Sequence, residues 1–286
     1  MKYFVSATLS PQVQWQLELM IESFKSLGIE DKLFIYLAVD GTPNYLDNYS
    51  KNIKSHKNLI KHINYGRKKG FEPLNTVFSI VNAINDGIIQ DEFVLLPTDC
   101  IIYKELEEIE EVDNISFCKF QTDPLFTPEL INKEIDLKNF DLNVSEISSD
   151  SWPYASSVFH FRNFSIDFFN ELGIISEEYV FNQIKNKLEP WNKTVQIALN
   201  VELKKYLGKY SSLQTSEMTC NLSSNKVNNF IHYESGYYPI FNKNMFLFNP
   251  ISFGNPIEIL AYNAPTLAFA YTSGIAQKYL KKNKNV

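Results

Sequence analysis

The stretch EFVLLPTDCII, Glu92 to Ile102, decides how the chain is read. Four consecutive apolar residues, Phe93 to Leu96, suit a strand covered on both faces, as in a parallel sheet. Pro97 ends the run, because proline has no N–H to give to a central ladder. Asp99 then stands at the carboxyl end of that strand, between Thr98 and Cys100. A buried strand that delivers one carboxylate to its end is the usual way an open α/β sheet builds a ligand site.

The sequence on the amino-terminal side follows the same plan. KYFVSATL has strand character, and PQVQWQLELMIESFKSLG follows with Pro11 at a helix start and Gly28 as its stop. Val13, Leu17, Met20, Ile21 and Phe24 give that helix one apolar face. KLFIYLAVDG, ending at Asp40, is a second buried strand, so the first forty residues read as β-α-β with parallel strands. After a polar connector, EPLNTVFSIVNAINDG predicts another helix that stops at Gly87. Thr8, Asp40 and Asp99 therefore all occupy carboxyl ends of strands.

The second half is less regular. Residues 121–157, where acids, Asn and Ser interrupt any period, read as a loop that covers the site. Helices are expected at 163–172, 176–188 and 191–206, a strand in VNNFIHYESGYYPIF, and a final helical layer towards the carboxyl end. The fold class expected is α/β with a mixed, mainly parallel sheet flanked by helices. No internal repeat or linker divides the chain, so residues 1–286 read as one domain, with 1–120 as its ligand-binding half and 121–286 as its acceptor half.

Composition narrows the function. The 286 residues, 44% of them apolar, are enough for a sizeable core. A formal net charge of −6 and a pI near 5.4 argue against broad adhesion to nucleic acid or anionic lipid. Cys100, Cys118 and Cys220 are an odd, widely spaced set, which suggests neither a disulfide framework nor a structural zinc site. MKYFVSATLSPQ enters a strand without a long apolar signal region, and no stretch approaches the ~18 apolar residues of a membrane span. A cytoplasmic location is the expectation. Gly-x-Gly-x-x-Gly, Gly-Lys-Ser/Thr, His-Glu-x-x-His and Gly-x-Ser-x-Gly patterns are all missing, so dinucleotide, P-loop, zincin and α/β-hydrolase chemistries lose weight.

Several residues can carry chemistry. Asp99 is either a ligand for a hard cation or a cap for the next turn, and His232, in FIHY, is either a second ligand or a core histidine. YGRKKGFEP sets Arg67, Lys68 and Lys69 between two glycines just before a helix, which suits a diphosphate and equally a solvated surface. Trp15 and Trp191 fit helical core positions. Trp152 and Tyr154, in the polar stretch SSDSWPYASS, are costly to expose without a partner and can stack on a sugar or a base. Asp123, Asp150, Glu177, Glu178, Glu189 and Glu202 are available as bases, with no signature separating them from surface acids.

Taken together, these features resemble a nucleotide-sugar glycosyltransferase of the GT-A (Rossmann-like) type. SATLSPQVQWQLELM, EFVLLPTDCII and FIHY are similar to segments of the peptidyl hydroxyproline arabinosyltransferases and their serine galactosyltransferase relatives, three islands spread over most of the chain. Gln14, Trp15 and Gln16 match that family's Gln-Trp-Gln helix, and His232 with Tyr233 matches its late His-Tyr. The sequence also departs from it: Pro97 stands where the first acid of Asp-x-Asp is common, and Cys100 replaces a histidine, so only Asp99 carries over.

The resemblance implies transfer of a sugar, arabinose foremost, from a UDP-sugar to a hydroxyl, with retention at the anomeric carbon. Thr8 and Asp40 would border the nucleotide and Arg67 and Lys68 approach the diphosphate. Asp99 with His232 would hold Mn²⁺ or Mg²⁺, and Glu189 would serve as base in an inverting reaction. The relatives carry a membrane anchor that has no counterpart here, which turns the expected acceptor from hydroxyproline to 5-hydroxymethylcytosine in phage DNA, within the host cytoplasm. Trp152 and Tyr154 would then receive the flipped base. The competing expectations are a bacterial surface-glycan transferase, a catalytically inactive nucleotide-sugar-binding module and, more weakly, a nucleotidyltransferase.

Overall fold

Residues 1–8, 11–39, 51–68, 72–90, 92–106, 115–119, 127–147, 155–162, 164–186, 194–206, 219–221, 224–227, 229–232 and 266–283 are described by the computed structural model. In chain order their elements are β1 (Lys2–Thr8), α1 (Pro11–Leu27), β2 (Leu33–Val39), α2 (Lys51–Lys54), β3 (Leu59–Ile63), α3 (Tyr65–Lys68), α4 (Asn75–Asn85), β4 (Glu92–Leu96), β5 (Cys100–Ile102), β6 (Ile115–Lys119), α5 (Pro128–Glu134), β7 (Ala155–Arg162), α6 (Ile166–Lys185), α7 (Thr194–Tyr206), β8 (Thr219–Asn221), β9 (Phe230–His232) and α8 (Leu267–Asn283). The chain divides into two compact units: Met1–Lys2, His62–Leu95 and Ile109–Ser216 form one, and Tyr3–Lys61, Leu96–Glu108 and Glu217–Val286 form the other.

The unit that begins at Tyr3 holds the β-α-β start. β1 and β2 pair in parallel from Tyr3 opposite Leu33 to Thr8 opposite Ala38. α1 joins them and ends where expected, at Gly28, whose φ of 73° is a left-handed value that glycine adopts without a Cβ clash. Ile29 N donates back to Phe24 O at 3.1 Å, completing the helix stop. The same unit contains a three-stranded sheet in the order β5-β9-β8. Against it packs a cluster of Trp15 and Leu19 from α1, Ile101 from β5, Ile231 from β9, and Ala268, Phe269, Ile275 and Ala276 from α8.

In the other unit β7 pairs antiparallel with both β4 and β6. Phe93 stacks on Phe161 across the β4–β7 pair at 4.9 Å, and Phe164, Phe168 and Phe169 close an aromatic core around them. α6 packs on α4, α5 and α7. One expectation is corrected here: α6 is a single helix where two were expected, over 163–172 and 176–188. Gly173 lies between the two expected helices, and a Cβ there would stand at ordinary contact distance, 3.5 Å, from Val77 Cγ1 of α4. A second correction concerns 121–157, which reads as loop but contains α5, capped by the Thr127 side chain with Pro128 in the first turn.

On the β4–β7 pair, Glu92 accepts from His160 Nε2 at 2.8 Å and from Arg162 Nε at 2.7 Å. His160 is 1% exposed, and its Nδ1 has no hydrogen-bond partner among the described residues. Burial lowers its pKa, only partly countered by Glu92. Burial alone would raise the Glu92 carboxyl, but the bonds from Arg162 and His160 hold it below its usual value. Both shifts mean that the unfolded chain binds protons the folded chain does not. The stability due to His160 is lost as pH falls through 6.5, and that due to Glu92 as pH falls below 4.5. The urea midpoint should therefore drop between roughly pH 7 and pH 5.5, and His160→Gln, which keeps a donor for Glu92, should flatten that slope. An equally steep slope in the variant would contradict this origin.

Candidate functional site

Asp99 lies in a turn, and the structure sharpens the reading of the segment that carries it. β4 ends at Leu96, the chain turns through Pro97, Thr98 and Asp99, and Cys100–Ile102 starts a separate strand, β5. The apolar residues after Asp99 are thus not an extension of β4, because they pair antiparallel with β9 instead. Asp99 is half-buried, between half-buried Thr98 and fully buried Cys100.

The β5–β9 register brings a distant part of the chain to this turn. His232 is directly opposite Cys100, Ile231 opposite Ile101 and Phe230 opposite Ile102. Opposed residues in an antiparallel pair lie on the order of 5 Å apart at Cα, so the backbone of His232 is next to the residue that follows Asp99. Of the residues read from sequence as metal ligands, both are therefore in one unit, Asp99 on the turn and His232 at the end of β9 opposite the residue that follows it. Among the described residues no cluster of three or more His, Cys, Asp or Glu is arranged around a common point. The carboxylate is a donor that suits Mg²⁺ or Mn²⁺, whose remaining positions go to phosphate oxygens and water, and an imidazole beside it fits Mn²⁺ better than the harder Mg²⁺.

α1 supplies the third side. Thr98 Oγ1 donates to Gln16 Oε1 at 2.6 Å, and Gln16 is 3% exposed. One residue earlier, Trp15 is 7% exposed in the cluster that joins α1 to β5, β9 and α8, the core position expected of it. Further along α1, Ser23 Oγ accepts from Ile102 N at 3.2 Å, while Tyr271 from α8 donates its hydroxyl to Ile102 O at 3.1 Å. Burial pushes the Tyr271 phenol up to about 12, so it stays a donor throughout the neutral range. These bonds satisfy the backbone of β5 on the side away from β9.

The remaining candidates divide as follows. Thr8 is the last residue of β1 and is half-buried, in the same unit as Asp99. Arg67 and Lys68 form the end of the short helix α3, in the other unit. Asp40, Trp152, Tyr154, Glu189 and Tyr233 lie outside the described residues. Glu202, one of the acids considered as a base, is fully buried in α7, and Glu177 and Glu178 lie on α6. Sequence reasoning passed over Thr98 as a partner for Gln16, and no spacing rule would have joined two polar residues so far apart in the chain.

A cavity of about 340 Å³ lies in the unit that contains α4 and α6. Val77, Phe78, Val81, Phe169 and Ile174 give it mostly apolar walls, with Glu177 at its edge. An apolar surface beside a carboxylate is poorly matched to a nucleoside diphosphate.

The architecture is that of GT-A type glycosyltransferases, an α/β fold with strands flanked by helices, as expected. The galactosyltransferase LgtC, in complex with donor and acceptor sugar analogues, superposes with a TM-score of 0.52 at 12% identity, over 97% of this chain and 96% of that one. An active-site mutant of LgtC gives 0.50 at 10% identity with the same coverage. The bifunctional glycosyltransferase WbbM also gives 0.50, at 12% identity, and this chain spans about half (51%) of its length. No protein-family model and no curated protein sequence matches the chain.

The Ile102 bonds make a test of how β5 is held. Ser23→Ala removes the acceptor for a buried N–H, and should lower stability by about 1–3 kcal/mol in urea unfolding. A loss well below that range would mean that β5 does not depend on this contact.

Proposed function

We propose that the chain is a metal-dependent glycosyltransferase that moves a sugar from a UDP-sugar to a hydroxyl acceptor. The observation that supports this reading is the register that sets the backbone of His232 opposite Cys100, the residue after Asp99, within a fold shared with LgtC. In the proposal the whole chain acts as one catalytic domain, residues 1–120 chiefly binding the donor and 121–286 the acceptor.

Asp99 and His232 would hold Mn²⁺ or Mg²⁺, which when bound would supply charge stabilisation for departing UDP. Thr8 and Asp40, at the ends of the first two strands, border the nucleotide. Arg67 and Lys68 neutralise the diphosphate as the bond to the sugar breaks. Asp99 acts only through its negative charge and needs no proton. Should the product be the inverted anomer, Glu189 accepts the proton of the attacking hydroxyl.

Arabinose is the proposed sugar, and 5-hydroxymethylcytosine in phage DNA the proposed acceptor. Similarity of the three islands to arabinosyltransferases supports the sugar. The aromatic pair Trp152 and Tyr154 supports a flipped base, and no described helix is long and apolar enough to cross a membrane. The acceptor sugar analogue bound to LgtC favours a second reading, a glycan hydroxyl as the acceptor. Pro97 in place of an acid favours a third, a binding module without catalysis.

Calorimetric titration of UDP with and without Mn²⁺ tests the core of the proposal. Binding should require the metal and should fall at least ~10-fold in Asp99→Asn, which keeps the shape of the side chain but not its charge. Absence of UDP binding with and without Mn²⁺ would overturn it. Incubation with a panel of UDP-sugars and hydroxymethylated DNA, followed by mass spectrometry of the digested nucleosides, then separates the acceptors: a pentose increment on hydroxymethylcytosine selects DNA. UDP release with unmodified DNA selects a glycan or another hydroxyl.

A further inference from the structure

We propose that Gln16 is a positioning residue, which sets the aim of Asp99 through Thr98. This deepens the proposed function and rests on the reading of Asp99 as a metal ligand. Asp99 sits between two fixed points. On one side Thr98 is tied to Gln16 by a 2.6 Å hydrogen bond. On the other, Cys100 is fully buried and pairs with His232 in the β5–β9 ladder. Pro97, with its locked φ, restricts the turn at its start.

Gln16 is well placed to act as an anchor. It is 3% exposed, so its carboxamide cannot exchange the threonine hydroxyl for bulk water without cost. Its neighbour Trp15 fixes the same turn of α1 in the core cluster, and Ser23, two turns on, grips β5 at Ile102. One helix therefore holds both the turn before Asp99 and the strand after it. The backbone that carries the Asp99 carboxylate is thus restricted on both sides, by the bond at Thr98 and by the ladder at Cys100. Partners that orient a ligand carboxylate typically change metal affinity ~10–100-fold when removed.

The experiment measures Mn²⁺ binding by electron paramagnetic resonance in the presence of saturating UDP, alongside thermal melts, on the full chain. Gln16→Leu, which deletes the acceptor, and Thr98→Val, which deletes the donor from the half-buried turn without touching α1, should each weaken Mn²⁺ binding at least ~10-fold. Gln16→Glu, which keeps an acceptor oxygen at the same reach, should stay close to the wild type. Thr98→Val and Gln16→Leu act on one bond, so the double variant should lose no more Mn²⁺ affinity than the weaker-binding single variant. Losses that multiply in the double variant would show two separate effects and overturn the proposal. Wild-type affinity in Thr98→Val would also overturn it, even if Gln16→Leu failed to fold. Wild-type chain without metal-dependent UDP binding would overturn the metal reading itself, and this inference with it. Normal wild-type binding with unaffected variants would overturn the inference alone.

Discussion

Burying a three-residue strand at the edge of a small sheet leaves backbone N–H and C=O groups that must find partners. β5 has one strand neighbour, β9, and meets the constraint on its other side with side chains. Ser23 accepts from Ile102 N and Tyr271 donates to Ile102 O. Because both come from helices, α1 and α8 are tied to the same short strand, and Trp15, Phe269 and Ile275 fill the space between. Tyr279 and Lys282 of α8 reinforce the arrangement through Glu18 and Glu22 of α1, at 2.5 Å and 2.6 Å. The turn at Asp99 inherits its rigidity from this assembly, since β5 begins at the next residue.

Much of this fold was legible where one physical signal dominates. β1, α1, β2, α4 and β4 have unbroken apolar runs or a clean helical period, and Gly28 and Gly87 mark helix stops that both carry positive φ. β3 was passed over because Leu-Ile-Lys-His-Ile is short and its Lys61 and His62 interrupt the run. α6 runs unbroken through Gly173, where two helices were expected, because its buried face, including Phe169, Leu172, Ser176 and Val180, continues across the glycine. A single glycine lowers helix propensity by only about 1 kcal/mol, which tertiary packing overrides.

The site was legible in part for a different reason. Asp99 announces itself by ending an apolar run, and His232 by standing in one, but their proximity is a matter of strand register. Register depends on which strands pair, and a strand of three residues gives too little pattern to choose its partner. The bond between Thr98 and Gln16 was less legible still. Hydroxyls and carboxamides are common on surfaces, and only burial distinguishes a structural pair from a solvated one.

The replacement of an acid by Pro97 changes what the turn must provide. Two carboxylates on alternate residues hold a cation largely by charge, which tolerates some freedom in each side chain. A single carboxylate with an imidazole has less charge to offer, so more of the affinity must come from preorganisation: the ligands must already be directed when the diphosphate arrives. Proline contributes to that directly, by removing one backbone rotation from the turn, at the position where the first acid of Asp-x-Asp is common. The tether from Gln16 and the ladder at Cys100 restrict the rest. If Asp99 and His232 hold a cation as proposed, the proline is compatible with that role so long as its neighbours are held, and the rigidity of the turn would take over part of what a second carboxylate would have done.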